Sequence, residues 1–166
     1  MKILIAVDEK IQPATMAEFV RKHIWEFPCD FKVIHVVKPI QDGDVVGFLK
    51  APLRHDITEE RRSSGRHLIR LVAIALRDVL HTTHIEEEVL EGDARAAIVR
   101  CAQEWKADLI VVSSYTNSSI MGSKLGSVSA AVAADAPCSV LLVRTEDSKE
   151  PVAQPRKLTV RRIVSG

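Results

Sequence analysis

The sequence predicts a Rossmann-like α/β fold, an open doubly wound five-stranded parallel sheet with helices on both faces. Short, nearly continuous apolar runs alternate with longer amphipathic runs along the chain. Strands that are apolar on both faces indicate a sheet covered on both sides. The 166 residues, 46% of them hydrophobic, suffice for one domain with its own core. Right-handed crossovers between successive strands then produce the doubly wound arrangement.

Five short apolar runs are interpreted as the strands of this sheet, and the third has the more exposed face. They are Lys2–Val7, Phe31–Val37, His84–Leu90, Asp108–Val112 and Ser139–Val143.

Four segments between these strands have helical periodicity. They run from Pro13 to about Phe27, from Thr58 to about Leu80, from Ala94 to Trp105 and from about Ser127 to Asp135. Proline in a first helical turn is favourable, and prolines also end helices, as Pro28 and Pro137 do here. Asp93 is placed to cap the third helix.

Two segments do not fit the regular alternation. The connection Lys38–Ile57 is long for this architecture and is interpreted as a flap. We assign residues 1–144 to the domain and residues 145–166 to a C-terminal tail. Within the tail, Lys157–Val164 is β-branched and basic, and it either adds an edge strand, in its own subunit or a neighbour's, or stays disordered.

Composition excludes several classes of protein. A net charge of +1 and 4% aromatic residues argue against binding of nucleic acid. No run approaches the roughly 20 apolar residues of a membrane span, and the opening apolar run is too short for a signal peptide. The three cysteines, Cys29, Cys101 and Cys138, are far apart and read as reduced thiols. We therefore expect a cytoplasmic protein.

A hydroxyl-rich stretch, "SYTNSSIMGSKLGSVSAAVA", lies between the fourth strand and the last helix. Ligands of doubly wound sheets bind beyond the carboxyl ends of the strands, and a helix start there attracts anions. Gly126 permits close approach of a ligand, Ser127 and Ser129 carry hydroxyl donors, Lys124 adds a cation, and the Asp8 carboxylate is placed to accept from an adenine amino group.

The alternative is structural, because no GxxxxGK[ST] or GxGxxG motif is present. Gly126 and Ser127 would then form only a turn and a helix cap, and Asp8 would cap the first helix.

Four stretches resemble the universal stress protein family: "KILIAVD", "HVV", "EGDARAAIVRCAQEWKADLIVVSS" and "GSVSAAVAADAPCSVLLVR". They cover about Met1–Arg144 in the family's order and spacing. The resemblance implies a five-stranded α/β sheet of the adenine-nucleotide alpha-hydrolase-like type. It also implies a homodimer paired through the last strand, Ser139–Val143, and binding of ATP or another adenine nucleotide.

The nucleotide loop of the family reads Gly, two residues, Gly, nine residues, Gly and then Ser or Thr. Counted back from Gly126 and Ser127, the first two glycines fall on Ser113 and Thr116. Val128 is intact. The two replacements either strain the loop, crowd the ribose and phosphates, or donate hydrogen bonds that preserve a weaker site.

The adenine end carries over from the family through three positions. Asp8 matches the aspartate after the first strand, Val36 matches the apolar residue that lines the adenine, and Ala6 lies on the same wall. The family's "DGS"-like continuation is "DEK" here, which places Glu9 and Lys10 near the mouth.

The resemblance implies a stress-response regulatory module with a variant site for ATP or AMP, with Mg²⁺ accompanying ATP. The alternatives are a nucleotide-independent dimeric interaction module with an unidentified protein partner, and a slow ATPase. We identify no catalytic residue and no metal site: His81 and His84 lack a third ligand, and His35 is interpreted as a core or edge histidine.

Overall fold

The computed structural model describes residues 1–23, 28–40, 51–80, 84–115, 126–145 and 160–163. Strands and helices alternate along the chain up to the fifth strand, as the sequence pattern predicts. The elements are β1 (Lys2–Ala6), α1 (Pro13–Arg21), β2 (Asp30–Val37), α2 (Ala51–Leu80), β3 (Ile85–Glu91), α3 (Ala94–Trp105), β4 (Leu109–Tyr115), α4 (Ser127–Asp135), β5 (Ser139–Thr145) and β6 (Val160–Ile163). Within these ranges no helix is both long enough and apolar enough to cross a membrane.

The sheet has the strand order β3-β2-β1-β4-β5-β6. The first five strands are mutually parallel, which confirms the predicted doubly wound sheet. The chain winds outward from β1 to β3 and then returns to β4 on the other side of β1. The winding direction therefore reverses between β1 and β4, and a crevice opens at the carboxyl ends of these two strands.

The core consists of two apolar layers on opposite faces of the sheet. Ile3 and Ile5 of β1 pack with α1 and α2, whereas Leu4 and Ala6 pack with α3 and α4. Successive side chains of a strand point to opposite faces. A central strand covered by helices on both sides is therefore apolar at every position, which is the pattern that identified β1 in the sequence.

Two helix boundaries differ from the predictions. Helix α2 begins at Ala51 rather than Thr58, so residues 51–57 of the predicted flap are helical and residues 41–50 lie outside the described part of the chain. Pro52 is compatible with this earlier start because the first-turn N–H groups have no helical partner. Helix α1 ends at Arg21, before the predicted Phe27.

A sixth strand extends the sheet beyond the prediction. Val160–Ile163 pairs antiparallel with β5, with Val143 opposite Val160 and Val140 opposite Ile163. This corresponds to one of the alternatives for the tail, an added edge strand within the same chain. Residues 146–159, which connect the two strands, lie outside the described ranges.

Asp93 caps α3 as predicted, because its Oδ1 accepts a hydrogen bond from the backbone N–H of Ala96 at 3.0 Å. We expect Asp93→Ala to lower the free energy of unfolding by about 1 kcal/mol, since alanine leaves that N–H without its partner. Urea unfolding measures the change, and Asp93→Asn, which keeps an acceptor, is the control. Equal losses in both variants would contradict the cap.

Candidate functional site

A cavity of about 280 Å³ opens at the carboxyl ends of β1, β2 and β4, where the winding direction reverses. The residues predicted for the nucleotide site line it, with the exception of Thr116. Thr116 and the predicted cation Lys124 lie outside the described residues, and Glu9 is described but is absent from the lining. The predicted residues in the lining are Ala6, Asp8, Val36, Ser113, Gly126, Ser127 and Val128. Sequence positions more than 100 residues apart thus meet at one edge of the sheet.

Asp8 enters the cavity from the turn that follows β1. Its Oδ1 accepts a hydrogen bond from the backbone N–H of Lys10 at 3.0 Å, and its carbonyl accepts from Ile11 N–H at 3.2 Å. Helix α1 instead has Gln12 at its N-cap, without a side-chain bond, so Asp8 does not cap it. Among the described residues no group donates to the second carboxylate oxygen, which is therefore an acceptor available to a ligand.

Ser113 occupies the first of the two substituted glycine positions. It continues β4 in regular register, opposite Val143 of β5, and its side chain is buried. Among the described residues Lys106 is the only non-glycine with a positive φ. Serine at this position therefore causes no backbone strain, and the residue contributes to the cavity wall.

The start of α4 forms the opposite side of the cavity. Gly126 is the N-cap with φ −64° and ψ 152°, and no side chain caps this helix end. No acidic residue lies in the first turn. Because the first N–H groups of a helix have no helical acceptor and the helix dipole is positive there, this end of the cavity favours an anion.

Ser129, expected from the sequence as a hydroxyl donor to a ligand, also lines the cavity. Its Oγ donates instead to the carbonyl oxygen of Gly126 at 3.0 Å, and only 3% of the residue is exposed. This i, i−3 bond orders the first turn of α4. The prediction for Ser129 is thus wrong in its partner, because a hydroxyl at that helical position reaches its own helix first.

An apolar wall forms the inner side of the cavity. Ala6 and Val36 were predicted there, while Ile34, Val112 and Ile98 were missed. Ile98 and Ala94 of α3 are four residues apart and face the sheet together, so helical periodicity was the available signal for them. Lys10 also lines the cavity, at the mouth position expected from its place in the sequence.

His35 lies behind the Asp8 turn. The residue is 7% exposed, and its Nδ1 is 2.9 Å from the carbonyl oxygen of Val7. Because a carbonyl only accepts, Nδ1 carries the hydrogen and donates it. A Cβ at Gly65 of α2 would lie 2.8 Å from His35 Cδ2, so α2 approaches the ring as closely as glycine allows. The histidine thus connects α2 to the peptide that precedes Asp8.

A second cavity, of about 420 Å³, lies between α3 and the β2–β3 side of the sheet. Lys32 Nζ is 2.6 Å from a Glu88 carboxylate oxygen and 3.5 Å from one of Glu86, and Trp105 Nε1 donates to Glu86 at 3.0 Å. Burial is the largest single influence on the pKa of Lys32 and lowers it, but the hydrogen bond to Glu88 and the surrounding negative charges together outweigh burial and raise the pKa. Each of these glutamates lies within ion-pair distance of Lys32, which indicates a structural network.

Cys101 lines this second cavity, and burial raises the pKa of its thiol. We expect iodoacetamide to modify Cys101 slowly at neutral pH in the folded protein and rapidly in denaturant, because the thiolate is the reactive species. Mass spectrometry of peptides from both samples measures the difference. Native labelling as fast as that of an unstructured cysteine peptide would contradict this expectation.

Metal binding finds no support among the described residues, in which no group of three or more histidine, cysteine, aspartate or glutamate side chains is placed to hold an ion. The predicted absence of a metal site at His81 and His84 stays a prediction, because His81 lies outside the described ranges.

Comparison with known proteins identifies the family. A family model for the universal stress proteins matches residues 1–144. The chain belongs to the universal stress protein family. The match ends where the resemblance in the sequence ended, and β6 lies beyond it.

Individual family members agree with this assignment. A universal stress protein of Thermus aquaticus, encoded in the 3′ region of a QAH/OAS sulfhydrylase, is 30% identical over 142 residues, which cover 86% of this chain and 97% of the relative. The crystal structure of a universal stress protein in complex with cAMP is 25% identical, with a TM-score of 0.62 and coverage of 86% of this chain and 96% of that one.

A family member from Arabidopsis thaliana has a crystal structure with AMP bound. It is 19% identical and has a TM-score of 0.61, covering 92% of this chain and 97% of that one. At this identity the likeness shows the shared fold.

Proposed function

We propose that this universal stress protein is a stress-response regulatory module that binds an adenine nucleotide in the cavity between β1 and β4. The observation that carries the proposal is the convergence of three features on that cavity. A carboxylate acceptor, Asp8, apolar residues that include Val36, and the uncapped start of α4 at Gly126 all line it.

Each feature suits one part of an adenine nucleotide. The free oxygen of Asp8 accepts from the exocyclic amino group or a ribose hydroxyl, and the apolar wall packs against the base. The N–H groups of Ser127 and Val128 receive a phosphate at the helix start. The volume of about 280 Å³ is near the lower limit of small-molecule sites, about 300 Å³, which suits the nucleoside with its phosphates toward the open side.

The ligands of the relatives support the same chemistry, since cAMP and AMP share the adenosine group with ATP. We propose ATP or AMP as the ligand here, with Mg²⁺ entering only together with ATP. Ser113 and Thr116 replace the family's glycines, and we propose that the site has reduced affinity for this reason. Binding regulates the protein through its conformation or assembly, at a cytoplasmic location consistent with the three free cysteines.

A nucleotide-independent interaction module is the second candidate, and the replacement of the family's glycine by Ser113 in the cavity lining favours it. A slow ATPase ranks below both. Among the described lining residues Asp8 is the only carboxylate, and it lies at the adenine end, away from the phosphate end where a base or metal ligand would be needed.

Thermal unfolding with millimolar ATP, ATP with Mg²⁺, AMP or cAMP tests the proposal, together with chromatography for nucleotide released from the purified protein. We expect stabilisation of about 2.7 kcal/mol at a hundredfold excess over Kd, and GTP serves as the matched control for ionic effects. No rise in Tm with any adenine nucleotide, and none copurified, would leave the interaction module as the function.

The predicted homodimer through β5 is also a proposal. Its support is the position of β5 at the outer edge of the five parallel strands, but β6 pairs with that edge in the structure. A dimer through this edge of β5 therefore requires that β6 leave it.

A further inference from the structure

His35 is the only polar side chain among the buried residues of β2. Val33 and Val37, the neighbouring positions on the same face of the strand, are apolar and buried. A buried polar group costs free energy unless it forms hydrogen bonds. The contacts on two sides of the ring indicate why a histidine occupies this position.

The first contact is a hydrogen bond to the peptide that precedes Asp8. Val7 follows the last residue of β1, and its N–H donates to the Ile34 carbonyl at 3.0 Å. Among the described residues, the donor to the Val7 carbonyl is His35 Nδ1, at 2.9 Å. This carbonyl and the N–H of Asp8 belong to one planar peptide unit. A bond that fixes the carbonyl therefore fixes the plane from which the Asp8 side chain departs.

The second contact is with α2. A Cβ at Gly65 would lie 2.8 Å from His35 Cδ2 and 3.6 Å from Cγ and Nε2, so the helix backbone covers one edge of the ring. Cδ2 and Nδ1 are both bonded to Cγ, and the ring thus lies between α2 and the Val7 peptide. Because a close-packed interior leaves little room for a side chain to swing, the helix holds the ring against Val7.

The peptide fixed in this way begins the turn that carries Asp8. Within the turn, Asp8 Oδ1 accepts from Lys10 N–H at 3.0 Å, and the Asp8 carbonyl accepts from Ile11 N–H at 3.2 Å. Both bonds require a particular direction of the Asp8 side chain and backbone. The two amides therefore report on the orientation of Asp8 in the protein without a ligand.

We infer that His35 is a positioning residue of the nucleotide site, which holds the Val7–Asp8 peptide so that the Asp8 carboxylate is presented to the ligand. The inference rests on the proposed nucleotide site. His35 is among the residues that line the cavity, but its ring contacts Val7 and Gly65, so its effect on the ligand passes through Asp8. Pressure on the ring from α2 should then reach the site as well.

The test replaces the ring by two side chains of similar shape. Asparagine carries its amide nitrogen on Cγ, as histidine carries Nδ1, so His35→Asn keeps a donor at the same number of bonds from the backbone. His35→Leu has the same branching without a donor. Both variants lose the ring, so a difference between them is due to the hydrogen bond.

Hydrogen exchange measured by NMR on the nucleotide-free protein reports on the turn, and calorimetric titration with AMP reports on the site. In His35→Leu we expect the Lys10 and Ile11 amides to exchange about tenfold faster and the Kd for AMP to rise about tenfold, which corresponds to the loss of one hydrogen bond. In His35→Asn, which retains a donor, we expect both quantities to stay within about threefold of the wild type.

A second variant, Gly65→Ala, leaves His35 in place and approaches the ring from α2, outside the residues that line the cavity. Its Cβ displaces the ring, so we expect faster exchange of the same two amides and weaker binding of AMP by the folded protein. Val72→Ala is the matched control, because Val72 is a fully buried residue of the same helix, does not line the cavity, and also destabilises the core when truncated. It should leave the two amides and AMP binding as in the wild type.

Several results would refute the role of His35. They are wild-type exchange of the two amides or wild-type affinity for AMP in His35→Leu, equal behaviour of His35→Leu and His35→Asn, and the same effect in Val72→Ala as in His35→Leu. Failure of the wild type to bind AMP would instead refute the proposed function, and the exchange rates would still decide whether His35 orients Asp8.

Discussion

Asp8→Ala is expected to weaken binding of ATP or AMP by about 10- to 100-fold. A hydrogen bond to a charged group is worth about 1.5–3 kcal/mol, and about 1.4 kcal/mol corresponds to a factor of ten in Kd. Asp8 is placed for this role by the turn after β1, where its Oδ1 accepts from Lys10 N–H and the residue lines the cavity. Isothermal titration calorimetry measures the change.

Two control variants distinguish binding from folding. Asp8→Asn keeps an acceptor for Lys10 N–H but loses the charge, so we expect it to retain the turn and to bind with intermediate affinity. Asp78→Ala removes a carboxylate from an exposed position near the end of α2. Asp78 does not line the cavity, so binding should be unchanged. Unchanged affinity in a stably folded Asp8→Ala variant would contradict the assignment of the adenine end.

Gly65→Ala is expected to lower the free energy of unfolding by about 1–2 kcal/mol, although alanine normally stabilises a helix interior by about 0.5–1 kcal/mol relative to glycine. The added Cβ would lie 2.8 Å from His35 Cδ2. The ring cannot yield cheaply, because it is buried and its Nδ1 donates to the Val7 carbonyl. Overpacking of this kind costs about 1–3 kcal/mol, which exceeds the helical gain.

Urea unfolding measures this effect, and Ser64→Ala is the matched control. Ser64 precedes Gly65 in α2 and is exposed, so its replacement should be neutral or slightly stabilising. Because Gly65 and His35 are in contact, the loss in Gly65→Ala should shrink when His35 is also shortened to alanine. A Gly65→Ala variant more stable than the wild type would show that α2 does not press on the ring.

The prediction of the fold succeeded for elements whose secondary structure is indicated by the residues of the same segment. The apolar run of β1 and the helix from Ala94 to Trp105, with Asp93 before it, were recognised because burial on two faces, helical periodicity and capping are local properties. The start of α2 was missed because residues 51–57 mix apolar and charged residues without a clear helical stripe. Pro52 is also compatible with both a turn and a first helical turn.

The candidate site was likewise predicted in part from the sequence and decided in part by the structure. Asp8 and Gly126 were identified from their positions at the ends of strands and the start of a helix, together with the family pattern. Ser113 raised a question of backbone strain that the sequence left open. The regular pairing of β4 with β5 answers it, since a residue in an ordinary strand has no need of a positive φ.

By itself, the sequence determined the order of strands and helices, the family, and the residues that reach the carboxyl edge of the sheet. Only the tertiary structure decided which distant residues meet. The contact of Gly65 with His35, the place of Ile98 in the cavity wall and the pairing of β6 with β5 all join residues far apart in the chain. Such contacts depend on the packing of whole elements, and no local pattern of side chains encodes their geometry.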